Sequence, residues 1–112
     1  MWYNMAMKIL IDADGCPVVD LTLQAAAEHG LEAILFCDTS HEFKEKNARV
    51  VTVDKGSDSA DFALIRQVKP GDIVVTQDYG LAAMVLAKRG YPITQNGKRL
   101  TDANIDTLLL TR

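Results

Sequence analysis

Short apolar runs alternate with amphipathic, helix-like segments along almost the whole of this 112-residue chain, and no other feature constrains its fold as strongly. Residues 7–11, Met-Lys-Ile-Leu-Ile, are nearly all apolar, as in a strand buried on both faces of a parallel sheet. The run stops at Asp12-Ala13-Asp14-Gly15. Pro17 suits the first helical position, where its missing N–H would have had no partner, and Val18, Leu21 and Ala25 then mark one face of a helix closed by Gly30. Residues 31–37 and 49–53 predict two more strands, and the polar segment 38–47 between them reads as a loop or a short helix. Residues 57–61 predict a helix start, followed by Ala60, Leu64 and Val68 at helical spacing and a turn at Lys69-Pro70-Gly71-Asp72. Residues 73–76 predict the fourth strand and 80–89 the next helix, with Gly90 past its end. A last strand over 91–94 precedes an Asn96-Gly97 turn, and Thr101 caps a final helix carrying Ile105, Leu108 and Leu109. Strands alternating with helices imply right-handed crossovers, so the expected fold is α/β: a three-layer αβα sandwich around a mostly parallel sheet. The length is that of one domain over residues 1–112, with 1–6 as an N-terminal extension.

In open parallel sheets the working site lies outside the carboxyl ends of the strands, and here the residues that end the strands are mainly acids. Asp12 and Asp14 end the first strand two residues apart, on one side if the extended conformation persists. Asp78 follows the fourth strand in Thr76-Gln77-Asp78, and Asp58 and Asp61 begin the preceding helix three residues apart, neighbours on one helical face. Anions packed together repel unless protons or a cation neutralise them, and an all-oxygen donor set favours Mg²⁺ or Mn²⁺ over zinc. The leading reading is therefore a divalent-metal site built from Asp12, Asp14, Asp58, Asp61 and Asp78, able with two ions to activate water against a phosphodiester. Helix capping competes with that reading at Asp58, Asp61 and Asp78, and the two roles can coexist. It competes less at Asp12-Ala13-Asp14, where two acids at the end of a buried strand cost desolvation that one cap would not require.

Thr76, beside these acids, could hold a metal-bound water or satisfy its own loop, and Lys98 and Arg99 could reach the same end of the sheet because they follow its last strand. Cys16 reads as a packed thiol, since no Cys-x5-Arg phosphate cradle follows it, and His29 and His41 read as solvated surface residues. Twelve basic against fifteen acidic side chains give a net charge of −3, which excludes a protein that holds nucleic acid by basic contacts alone. A metal would have to supply the positive charge. The apolar runs are too short to span a membrane, and Met1 to Met7 lack the basic start of a secretory signal, so no membrane association and a cytoplasmic location are expected. Cys16 and Cys37 form no CxxC, against both a zinc knuckle and a disulfide scaffold. The Leu108-Leu109-Leu110 run is a surface a second copy could cover, making a homo-oligomer.

Residues 8–18, KILIDADGCPV, residues 55–61, KGSDSAD, and residues 69–82, KPGDIVVTQDYGLA, resemble the YaiI/YqxD family of bacterial proteins, and the likeness continues through Asn96-Gly97-Lys98 and residues 101–105. That family is regarded as related to PIN-domain nucleases, so the resemblance implies a PIN-like fold and an acidic metal site that cleaves RNA. Under it Asp12 corresponds to the first-strand acid, Asp61 to the helix-leading acid and Asp78 to the acid after the fourth strand, and these three are the expected catalytic residues. Asp14 and Asp58 match the family's own motifs. The sequence departs from the PIN pattern in having no recognisable helical Glu, offering only Glu42 and Glu45 in the middle segment, and from the family in ending at Arg112 where members usually continue.

The expected function is a metal-dependent ribonuclease or other phosphodiesterase with RNA or another phosphodiester as partner. The missing Glu favours a second reading, a metal- or nucleotide-binding module without turnover. A third comes from Asp12-Ala13-Asp14-Gly15, which also matches the start of haloacid-dehalogenase-type phosphatases, with Asp12 as a covalent nucleophile and Asp14 as general acid. That class needs a Gly-Asp after a later strand, and Gly71-Asp72 precede theirs.

Overall fold

The computed structural model describes residues 7–13, 18–38, 49–53 and 60–110, the side chains of 38 and 108–110 excepted. The elements run β1 (Lys8–Asp12), α1 (Val19–Glu28), β2 (Glu32–Asp38), β3 (Arg49–Val53), α2 (Ala60–Gln67), β4 (Ile73–Val75), α3 (Tyr79–Ala87), β5 (Tyr91–Ile93) and α4 (Asp102–Leu110). The five strands form one parallel sheet in the order β3-β2-β1-β4-β5. No helix among the described residues is long and apolar enough to cross a membrane.

The apolar runs bury both faces of this sheet. Leu10, Ile34, Phe36 and Val74 turn to one face and pack on Ala60, Ala63, Leu64 and Val68 of the α2 region and on Leu81 and Val85 of α3. Ile9, Ile11, Ala33, Leu35, Cys37 and Val75 turn to the other, against Val19 and Ala26 of α1. Two layers of helix around a sheet are thus dictated by strands with no polar face. The chain steps outward from β1 to β2 and β3, then returns to the other side of β1 for β4 and β5. Right-handed crossovers in opposite directions place helices on opposite faces, and the reversal opens a crevice between the carboxyl ends of β1 and β4. α4 packs on the outer side of α3 through Ala82, Leu100 and Ile105.

The strand and helix assignments hold where the residues are described, with ends displaced by one or two residues, and positions 57–59 of the expected helix start lie outside the described residues. The buried stripe of α1 is a correction. Val18, Leu21 and Ala25 do not form it: Leu21 is 65% exposed, and the inward positions are Val19, Leu23 and Ala26. The sequence VDLTLQAAA carries two apolar stripes one step apart, and the strands beneath select the one whose first member follows the turn at Val18. Pro17, Cys16 and the segment 39–48, including His41, Glu42 and Glu45, lie outside the described residues. His29 is exposed at the end of α1, its Nδ1 2.9 Å from the carbonyl of Ala25, and Cys37 is buried within β2.

Two glycines shape the turns around β4. Gly71 has φ +92°, a conformation that lets the Lys69-to-Asp72 turn close with Asp72 N–H on the carbonyl of Lys69 at 3.0 Å. Gly90 follows α3 where a Cβ would sit 2.8 Å from Val85 Cγ1 and 3.2 Å from the carbonyl oxygen of Asp72, so any side chain there would force the helix end off the strand.

Candidate functional site

Asp12 is the last residue of β1, paired with Phe36, rather than the first residue after it. The pairing with β2 therefore fixes its backbone, and the main chain of Ala13 adds a hydrogen bond to the carbonyl of Phe36 at 2.9 Å. Across the crevice, Thr76 leaves the end of β4 with its N–H on the carbonyl of Ile93 at 3.0 Å. Its side chain is buried at 2% exposure, and the hydroxyl donates to Asp12 Oδ2 at 3.0 Å. The same oxygen accepts from the backbone N–H of Asp78 at 3.0 Å. One hydroxyl thus joins the end of β1, the end of β4 and the start of α3, and its hydrogen-bonding capacity is used in both directions.

Asp78 is the N-cap of α3, in extended conformation, and its Oδ1 accepts from Gly80 N–H at 2.9 Å and Leu81 N–H at 3.2 Å. The capping role weighed from the sequence is real. Both bonds fall on one oxygen, and the carboxylate remains exposed at the crevice. Asp61 stands in the first turn of α2, partly exposed, and the parallel order of β3 places that turn at the carboxyl end of the sheet. The structure therefore joins Asp12, Thr76 and Asp78 in one hydrogen-bonded chain, with Asp61 on the neighbouring helix. Asp14 and Asp58 lie outside the described residues. Among the described residues, no three His, Cys, Asp or Glu side chains lie close enough together to hold a metal ion.

Lys98 is exposed on the turn after β5. That turn is folded around the buried Thr94, whose Oγ1 accepts from Lys98 N–H at 3.1 Å and Asn96 N–H at 3.3 Å, while Thr94 N–H donates to the carbonyl of Lys98 at 3.0 Å. Gln77 ties it to the loop that carries Asp78, its Oε1 accepting from Gln95 N–H at 2.7 Å. Sequence reasoning missed this strut. Gln77 lies between two residues it had singled out, and a long amide side chain there has few roles other than bridging to an adjacent strand end.

An ion pair at the other end of the same strands was also missed. Lys8 Nζ lies 2.6 Å from Asp72 Oδ2, with side-chain exposures of 14% and 3%. Asp72 further accepts from the backbone N–H groups of Lys8 at 3.2 Å and Lys69 at 2.8 Å. Asp72 thus stays at the amino end of β4, closed on a lysine, away from the crevice that a phosphatase acid would have to reach.

Residues 10–112 match the model of the uncharacterised YaiI/YqxD family. A UPF0178 protein of Exiguobacterium sibiricum is 56% identical over 106 residues, covering 95% of this chain and 72% of the relative. UPF0178 proteins of Ruminiclostridium cellulolyticum and Alkaliphilus oremlandii are 52% and 50% identical over the same length, which spans 69% and 68% of those chains. Among solved structures, a crystal structure of Rae1 (YacP) from Bacillus subtilis, a PIN-like protein, superimposes with a TM-score of 0.58 at 14% identity, covering 94% of this chain and 78% of that one. That likeness carries the PIN-like fold. The match takes in both Asp12 and Asp78, and the chain belongs to the YaiI/YqxD family.

Proposed function

We propose that this protein is a metal-dependent phosphodiesterase, with RNA as the leading substrate class, working at the crevice between β1 and β4. The observation that carries this reading is the hydrogen-bonded chain Asp12–Thr76–Asp78 at the point where the strand order reverses, the position ligands take in open α/β sheets. The donors there are carboxylate and hydroxyl oxygens, a set that fits a hard cation such as Mg²⁺ or Mn²⁺. Asp12 and Asp78 would hold it, with the acids Asp14 and Asp58 completing the set. Bound there, the ion would lower the pKa of water and stabilise the leaving oxygen.

The chain's own groups do the positioning. Thr76 holds the Asp12 carboxylate toward the crevice. The start of α3 directs the positive end of its dipole to the same rim, and Lys98 brings an exposed cation to its β5 side, both useful to a phosphate approaching an acidic protein. A binding module without turnover is the second reading, and the specific observation favouring it is that Asp78 already serves as a helix cap.

The test compares wild type with Asp12→Asn purified in parallel. Mn²⁺ at a hundredfold excess over its dissociation constant should stabilise the wild type by about 2.7 kcal/mol, and Asp12→Asn should lose both that shift and Mn²⁺-dependent cleavage of single-stranded RNA. Binding with no cleavage leaves the module. Equal RNA decay by both preparations removes the nuclease, and phosphomonoester hydrolysis through an aspartyl-phosphate would replace it with the phosphatase.

A further inference from the structure

Phe62 is 49% exposed in the first turn of α2, immediately after Asp61. The inward positions of that helix are taken by Ala60, Ala63 and Leu64, and Phe62 belongs to none of the core clusters among the described residues. A single exposed apolar side chain is ordinary on a protein surface, so its place carries the weight. Because β3 is parallel to its neighbours, the first turn of α2 lies at the carboxyl end of the sheet, the end that carries Asp12 and Thr76. Tyr91, the other half-exposed aromatic among the described residues, contrasts with it in both respects. It begins β5 at the opposite end, and its ring is covered by the Arg99 guanidinium 5.2 Å from the centroid. Tyr79, beside Asp78, is partly buried against the α4 cluster.

An open ring beside a phosphate-directed site has a specific use. Every nucleobase presents a π-face, and stacking on an aromatic side chain recognises an unpaired base without reading its sequence. Such a contact costs an acidic protein none of the electrostatic repulsion that backbone binding does. We propose that Phe62 is the base platform of the site, the surface on which an unpaired nucleobase of the substrate stacks while the adjoining phosphate lies at the β1–β4 crevice. This rests on the phosphodiesterase reading and adds to it that the substrate is a single strand held by a base as well as by its phosphate.

The experiment measures binding of two fluorescein-labelled octanucleotides in Mn²⁺: deoxyadenosine octamer, and an abasic octamer with the same charges. Wild type should prefer the base-bearing strand by about fivefold or more, the range set by stacking on one aromatic. Phe62→Leu, similar in size and apolar, should bring the two affinities level with the unfolding midpoint unchanged, and Phe62→Trp should restore the preference. Its salt dependence should match that of wild type, because no phosphate contact has been removed. A preference that survives Phe62→Leu, or wild type that does not distinguish the two strands, overturns the platform. Mn²⁺-dependent hydrolysis of bis(p-nitrophenyl) phosphate, measured on the same preparations, separates the two failures: retained with no base preference, only the platform falls; absent along with Mn²⁺ binding, the phosphodiesterase reading falls and the platform with it.

Discussion

The two ends of the β1–β4 pair solve the same problem differently. At the amino end Asp72 is almost fully buried, closed on Lys8 at 2.6 Å and braced by two backbone N–H groups. At the carboxyl end Asp12 takes a neutral hydroxyl from Thr76, which orients the carboxylate without cancelling its charge. An acid whose charge is matched inside the fold is a staple. An acid fastened by a hydroxyl is oriented rather than neutralised by that contact, and the proposed function uses the orientation.

Breaking the staple should have the largest effect. Asp72→Ala strands a largely buried ammonium and two backbone donors, and should cost about 3 kcal/mol in urea unfolding, while the Mn²⁺ response of the refolded protein stays as in wild type. The hydroxyl at the other end should matter less. Thr76→Val keeps the shape but leaves the N–H of Asp78 without its acceptor, a loss of about 1–2 kcal/mol, and it should weaken Mn²⁺ binding where Asp72→Ala does not. Thr76→Ser should restore both. The smallest effect tests the cap: Asp78→Ala should cost about 1 kcal/mol and Asp78→Asn only a few tenths, yet both should weaken Mn²⁺ binding in calorimetry. If Asp78→Asn binds Mn²⁺ like wild type, Asp78 belongs with Asp72 as a structural acid.

The parts of this fold that were legible in the sequence are those where one physical signal dominates. β3 was read at its observed bounds because its β-branched run starts and stops abruptly, and the start of α4 because Thr101 offers a cap, to which the structure adds Asn104, whose Oδ1 accepts from Thr101 N–H at 2.9 Å. α1 was misread by one step because two apolar stripes compete in VDLTLQAAA and only the sheet beneath decides between them. Asp12 was visible because a buried strand gives little structural excuse for a carboxylate at its end, whereas Asp78 stood out by its place after the fourth strand and carries the helix cap that competed with that reading. Lys8–Asp72 was invisible for the opposite reason: its partners are 64 positions apart, and Pro70-Gly71-Asp72 already reads as a turn. Had β1 and β4 been known as neighbours, opposite charges at the first position of β1 and just before β4 would have predicted it.

The Thr76 bridge has a direction. A backbone amide can only donate, so Asp78 N–H obliges the Thr76 oxygen to accept, and the hydroxyl's single proton is then committed to Asp12 Oδ2. Reversing the chain would turn that proton toward an N–H that cannot receive it. Asp12 is therefore wired at Oδ2 as an acceptor, and any proton it carries has to sit on Oδ1 unless the junction of β1, β4 and α3 is first dismantled.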